Sequence, residues 1–152
     1  MPTPGQLDPS AQLRSTQIVI AALALGVLIF AGVAVYVAPV GAPIEVRGKD
    51  VLAIVAVCVT LQALPLSFLV RAKLVKAALE HEPAPRIAAF RASRIAAAAM
   101  CEAAGLLWCV ALLFSGSALY LGGAVVVVAV MFLHVPTRES FEEATGERVP
   151  NT

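Results

Sequence analysis

Charge is the property that this sequence has least of. Only 14% of its 152 residues are Asp, Glu, Lys or Arg, whereas 60% are hydrophobic and the mean hydropathy is +0.88. Soluble domains carry about 25% charged residues because they need a hydrated surface. Most of this chain must therefore face something other than water, which excludes an ordinary soluble domain. The net charge of +1 also gives no basis for binding nucleic acid, which requires a basic surface.

Residues that build chemical sites are also scarce. The three cysteines, Cys58, Cys101 and Cys109, all lie in apolar segments, so we expect packing residues rather than disulfides or zinc ligands. The sequence contains no nucleophile paired with a base, no phosphate-binding loop and no haem or metal motif. We therefore expect no enzymatic activity, no cofactor and no metal.

Long uncharged intervals can be read directly from the positions of the charges. No charged residue occurs in 15–44 or 51–70, and Glu102 is the only one in 95–137. The last interval is too long for one crossing, and Ser115-Gly116-Ser117 divides it. About twenty helical residues cross a hydrocarbon core of ~30 Å, and backbone groups in lipid must be bonded internally. We predict four helical spans, at about 17–38, 50–70, 95–114 and 118–135.

The positions of the basic residues predict the orientation of these spans. With four spans, both termini and the connector between spans two and three lie on one side of the membrane. That side carries nine of the eleven Lys and Arg residues, and only Arg47 and Lys49 lie opposite. The positive-inside rule then places both termini in the cytoplasm. We expect the protein to lie in an inner membrane. We expect a polar cytoplasmic tail at 1–16, a transmembrane domain at 17–136 and an acidic cytoplasmic tail at 137–152.

The segment between spans two and three predicts helices that continue beyond the membrane. Residues 71–80 contain strong helix formers and no breaker, and a new helix is expected to follow the prolines of 81–85. The predicted fold is an all-α polytopic membrane four-helix bundle, in which spans two and three form a long antiparallel hairpin with its tip at 81–85. A cytoplasmic basic surface is predicted on these extensions, formed by Arg71, Lys73, Lys76, Arg86, Arg91 and Arg94. These side chains either bind anionic lipid head groups or a partner, or they only fix topology.

The acidic C-terminal tail carries a pattern that is typical of a short helix. Ser140 and Glu143 have capping-box spacing, and Gly146 is suited to a helix end. This helix either docks on the basic extensions or remains a solvated tail.

Glu102 is the one ionisable residue well inside a predicted span. It lies seven residues from Ile95, or roughly 10 Å along the helix axis at 1.5 Å per residue. An ionised carboxylate at that depth is costly unless a partner reaches it. If Val70 and Ile95 lie at the same level of the membrane, then Ala63 lies at the depth of Glu102, with Gln62 beside it.

We therefore predict a polar cluster on spans two and three. Glu102 and Gln62 form its centre, and Thr60 lies about one turn outward. Pro65 cannot donate a hydrogen bond to the carbonyl of Leu61, so we expect a helix kink there and a free acceptor for the cluster.

Two functions are compatible with this cluster. In one, Glu102 hydrogen-bonds Gln62 and fixes helix pairing, and the protein is a small accessory or assembly subunit that acts through helix packing. In the other, Glu102 carries a proton or cation in a coupled membrane component. The spans offer no second acid, so we favour the subunit and keep the second function as the alternative. The expected partners are the lipid bilayer and either a second copy of the chain or another membrane protein.

The third span resembles a helix of known function. Pro83 precedes a basic helix start, and Glu102 follows nineteen residues later among alanines, before an apolar run. This pattern resembles the carboxylate helix of the rotary ATP synthase c subunit, in which a Pro-containing polar loop precedes a proton-binding acid. The resemblance implies that Glu102 is the proton carrier of a ring-forming hairpin. Span two has no glycine, whereas the family's other helix carries a repeated Gly-x-Gly pattern.

The chain as a whole also resembles small four-helix bacterial membrane proteins of unassigned activity. These proteins have an acid in the third span and Pro-Thr-Arg-Glu after the fourth, as in Pro136-Thr137-Arg138-Glu139 here. That resemblance implies a fold and no activity.

Overall fold

The computed structural model describes residues 8–38, 51–79 and 83–148, and every regular element in these ranges is a helix. The helices are α1 (Pro9–Val37), α2 (Val51–Leu79), α3 (Pro83–Ser115), α4 (Leu119–Leu133) and α5 (Arg138–Thr145). The predicted all-α class is therefore confirmed. Residues 81 and 82 of the predicted tip lie outside the described residues. So do residues 1–7 of the N-terminal tail and 149–152 of the C-terminal tail.

Three of these helices are long and apolar enough to cross a membrane, over Pro9–Val37, Val51–Lys76 and Arg86–Ser115. Helix α4 has only 15 residues, and it passes the same test only together with α5, from which it is bent by 53°. Three to four helices of the described chain could thus cross a membrane.

Helix α1 begins eight residues before the first predicted span. The Asp8 carboxylate accepts hydrogen bonds from the backbone N–H of Ser10 at 3.0 Å and from its hydroxyl at 2.6 Å, and Pro9 opens the helix. Such caps satisfy N–H groups that the first turn leaves free. The same hydrogen bonds, that of the Ser10 hydroxyl first, lower the pKa of the Asp8 carboxyl. The segment predicted as a polar tail is therefore helical from Pro9 onward.

Helix α3 is the central helix of the fold, because it packs against α1, α2, α4 and α5. Many of its buried side chains are small, which lets neighbouring backbones approach closely. They are Ala97, Ala98, Cys101, Ala104, Cys109 and Ala111. Cys101 and Cys109 thus act as packing residues, whereas Cys58 is exposed on α2.

Helix α2 buries far less of itself than α3 does. Among its described side chains the buried ones are Ala56, Ala63 and Ser67, which form one narrow stripe. The helix runs through Pro65 without a break, so the structure gives no sign there of an interrupted helix. Most of the surface of α2 is therefore available to lipid or to another helix.

Helix α5 packs on the bundle through Phe141, which is fully buried. Its ring meets that of Phe90 edge to face, with centroids 5.5 Å apart and an interplanar angle of 89°, and Leu13 completes the cluster. The capping box joins Thr137 and Ser140, not Ser140 and Glu143 as the spacing predicted. The docked arrangement is thus the one observed, and the Phe141 ring is buried at its centre.

Candidate functional site

Glu102 lies against α1, where that helix carries a glycine. The Oε1 atom of Glu102 is 3.6 Å from the position that a Cβ atom on Gly26 would occupy. One turn further along α3, Gly105 packs against Val27, whose nearest methyl group is 3.0 Å from a Cβ built on that glycine. The absence of side chains at both glycines lets α1 and α3 approach closely around the half-buried carboxylate.

The structure does not join the three polar side chains of the predicted cluster. Gln62 is exposed on α2. Thr60 instead donates a hydrogen bond to the carbonyl of Ala56 at 2.7 Å and accepts one from Trp108 Nε1 at 2.8 Å. No hydrogen bond among the described residues links either side chain to Glu102.

The register of α2 against α3 explains the difference. Thr60 lies opposite Trp108. Because the helices are antiparallel, Glu102, six residues before Trp108, lies level with Leu66, six residues after Thr60. The sequence predicts Ala63 at this level, which is three residues away, or about 4.5 Å along the axis.

Trp108 sets this register because it occupies a space that one glycine leaves open. The indole lies directly over Gly123 of α4, and a Cβ atom there would lie 2.6 Å from Trp108 Cε3. The ring of Tyr120 lies 6.0 Å away. Trp108 therefore connects α2, α3 and α4 as a packing residue of the bundle.

A second polar group lies at the end of the bundle where α5 packs. Ser67, Arg94 and His134 are all buried there, on α2, on α3 and just after α4. The Ser67 hydroxyl donates to the carbonyl of Leu64 at 2.7 Å and lies 3.1 Å from His134 Nε2. Since that hydroxyl has a single proton, Nε2 is assigned as the donor to Ser67, and Nδ1 of the neutral ring is then an acceptor. No described residue bonds that Nδ1 atom.

Arg94 is the most deeply buried cation of the described chain. Its side chain is 3% exposed, and its NH1 donates to the carbonyl of His134 at 3.3 Å. The guanidinium lies 5.0 Å from the centroid of the Phe90 ring. The buried Nε has no hydrogen-bond partner among the described residues, and none of them forms an ion pair with Arg94. Burying a cation without a carboxylate is unfavourable, so this position is an unusual one for arginine.

The six residues of the predicted basic surface do not form one surface. Lys73 and Lys76 are exposed and Arg71 and Arg86 are half-buried, whereas Arg94 is buried. Half-buried Arg91 donates to Gln12 Oε1 on α1, so this arginine holds two helices together. Arg91 and Arg94 are covered because the N-terminal part of α3 packs against α1 and α5.

Sequence reasoning missed that His134 lies between Ser67 and Arg94 and bonds both of them. A signal was present, since the predicted spans place Arg94 at the start of span three and His134 at the end of span four, on the same side of the membrane. Depth alone, however, does not show which side chains turn toward each other.

Neither a metal-binding group nor a related protein suggests a function for these residues. The described residues contain no group of three or more His, Cys, Asp or Glu side chains that could hold a metal ion. Comparison with known protein families, curated proteins and solved structures finds no match to this chain.

Proposed function

We propose that this chain is a small accessory or assembly subunit of a membrane protein complex, and that it acts through helix packing. The observation that carries the proposal is the exposure of Gln62 on α2. Gln62 lies nine residues before Arg71, or about 13 Å along the helix axis, within an otherwise apolar face. A polar amide that faces hydrocarbon without a partner is unfavourable. A helix of another membrane protein that offers a hydrogen-bonding group would satisfy it.

The narrow packing stripe of α2 supports the same proposal. In the most apolar 18-residue stretch of α2, only 17% is buried inside the bundle, whereas the corresponding share for α3 is 44%. A helix that contributes so little to its own bundle has most of its surface free for a second set of contacts.

The proposal includes a location and an orientation. The protein would lie in a bacterial inner membrane, with both termini and the connector between α2 and α3 in the cytoplasm. The distribution of nine of eleven basic residues to that side supports this orientation.

The position of Cys58 provides the first experimental test. It is exposed one helical turn before Gln62. A photoreactive benzophenone amino acid in place of Cys58 should therefore label this face, without the thiolate that alkylation needs and hydrocarbon disfavours. We expect illumination of native membranes to give an adduct with a different polypeptide. Changing Gln62→Leu should lower its yield about three- to twentyfold, the effect of losing one interhelical hydrogen bond in a membrane.

Gln62→Asn is the matched control, because it keeps an amide at the same position. It should retain a larger part of the adduct than Gln62→Leu does. Adducts with lipid alone would contradict the proposal, and adducts only with a second copy of the chain would assign the face to self-association.

A second candidate function uses Glu102 as the carboxylate of a proton- or cation-coupled component. The observation that favours it is the placement of the half-buried carboxylate beside Gly26, with no described residue hydrogen-bonded to it. A carboxylate without a fixed protein partner is available to a proton or cation. The resemblance of the third span to the c-subunit helix supports the same candidate.

Glu102→Gln tests the second candidate, because it keeps volume and hydrogen bonding but removes titration. In liposomes with an internal pH dye and a potassium diffusion potential, the wild-type chain should conduct protons and Glu102→Gln should conduct no more than empty liposomes do. Equal flux in both proteins, or no flux in either, would exclude this function. Circular dichroism of each protein would verify that the helices are intact.

A further inference from the structure

A cavity of about 460 Å³ lies between α2, α3 and α5. Its charged lining consists of Arg71, Arg94 and Glu143, and its apolar lining includes Phe68, Val75 and Phe90. Two cations and one acid leave a net positive charge. The cavity is therefore amphipathic and cationic, and neither candidate function uses it.

Arg94 is the residue that points to a ligand. It lines the cavity at 3% exposure, and its buried Nε has no partner among the described residues. A guanidinium carries five N–H donors in a planar fork, and that fork matches the oxygens of a phosphate. An anion in the cavity would supply a hydrogen-bond acceptor for Arg94 Nε and the negative charge that no described residue places beside this guanidinium.

The position of the two arginines in the chain indicates where such an anion would come from. Arg71 directly follows the apolar interval 51–70, and Arg94 directly precedes the apolar interval 95–101. Both cations therefore lie where apolar helix surface ends, which is the level of lipid head groups for helices that cross a bilayer. Basic pockets between helices at this level are suited to anionic head groups.

We propose that this cavity binds the phosphate group of an anionic phospholipid. Arg94 and Arg71 bind the phosphate oxygens, and the side chain of Phe68, on the membrane side of Arg71, contacts the first part of an acyl chain. Glu143, which is exposed, lies on the α5 side of the cavity and weakens the binding by repulsion.

The test uses the full chain in a neutral detergent and native mass spectrometry with three probes. The probes are dihexanoyl phosphatidylglycerol, dihexanoyl phosphatidylcholine and glycerol phosphate without acyl chains. We expect the first to bind at least tenfold more tightly than the other two. Equal binding of the phosphatidylcholine would overturn the requirement for net negative charge. Equal binding of glycerol phosphate would show a free-anion site and overturn the assignment to a lipid.

Arg71→Gln and Lys73→Gln form a matched pair of variants, because each removes one cation from α2. Arg71 lines the cavity and is half-buried, whereas Lys73 is exposed and does not line it. Arg71→Gln should weaken phosphatidylglycerol binding about ten- to hundredfold, the effect of losing a charged hydrogen bond, and Lys73→Gln should change it less than about twofold. Equal effects of the two variants would reduce the interaction to general charge attraction and overturn the site.

Glu143→Gln provides a variant with the opposite expected effect on binding, and it leaves Arg71 and Arg94 unchanged. It removes the one acid of the cavity from an exposed position, so folding should be unaffected. Tighter binding of phosphatidylglycerol is expected, and unchanged or weaker binding would contradict the proposed position of the phosphate.

Discussion

Replacing Gly123 with alanine is expected to destabilise the bundle by about 1–3 kcal/mol, the usual effect of overpacking a closely packed interior. A Cβ atom at this position would overlap the indole of Trp108, since it would lie 2.6 Å from Cε3 and closer still to two other ring atoms. The indole cannot move aside freely, because Thr60 accepts its N–H at 2.8 Å. Unfolding by SDS titration from mixed micelles, followed by circular dichroism, measures this change.

The neighbouring Gly122 supplies the control for this prediction. A Cβ atom there meets nothing within 4 Å, so Gly122→Ala should leave the midpoint of unfolding almost unchanged. The double variant Gly123→Ala with Trp108→Leu should lose less stability than the two single changes predict together, since the smaller side chain removes the overlap. Equal midpoints for the two glycine variants would show that Trp108 does not pack against α4 in this way.

Phe141→Ala is expected to release α5 from the bundle. An isolated helix of eight residues is unstable in water, so α5 depends on the side chains that it buries. Phe141 is fully buried against Phe90, and Phe→Ala changes in cores cost about 3–5 kcal/mol. Amide hydrogen exchange over Arg138–Thr145 should accelerate by about a hundredfold or more, up to the rate of the free segment.

Phe132→Ala is the matched control, because Phe132 is 58% exposed on α4. It should leave exchange in α5 unchanged. If Phe141→Ala leaves α5 as protected as before, then a contact other than the aromatic one holds this helix. Release of α5 would also remove one wall of the cavity that Arg71 and Arg94 line, so lipid binding should weaken in the same variant.

The helices were largely predictable because charge is excluded from lipid. The uncharged intervals locate α2 and α3, and the strong helix formers of 71–80 predict that α2 passes Arg71, which it does. The start of α1 was not predictable in this way. Apolar residues locate the start of the span at about residue 17, whereas the helix begins at Pro9, after the cap at Asp8. Polarity marks the end of a membrane span, and hydrogen bonding marks the end of a helix.

The candidate site was predictable in depth but not in direction. The sequence identifies Glu102 as the exceptional acid. It pairs this residue with Gln62 because it places Val70 and Ile95 at the same depth in the membrane. The observed register depends on how the indole of Trp108 fits over Gly123, and this fit involves side-chain volumes on three helices. Likewise, the position of Gly26 opposite Glu102 depends on the rotation of α1, and this part of α1 is apolar on all sides.

The short length of α4 has a consequence for the surrounding lipid. Its 15 residues cover about 22 Å at 1.5 Å per residue, whereas a hydrocarbon core is ~30 Å thick. Helices α1 and α3, with 29 and 33 residues, exceed that thickness. Where α4 crosses as a separate span, the bilayer beside it would have to be thinner than beside the other helices. Such a mismatch on one side of the bundle carries a modest elastic cost for each ångström.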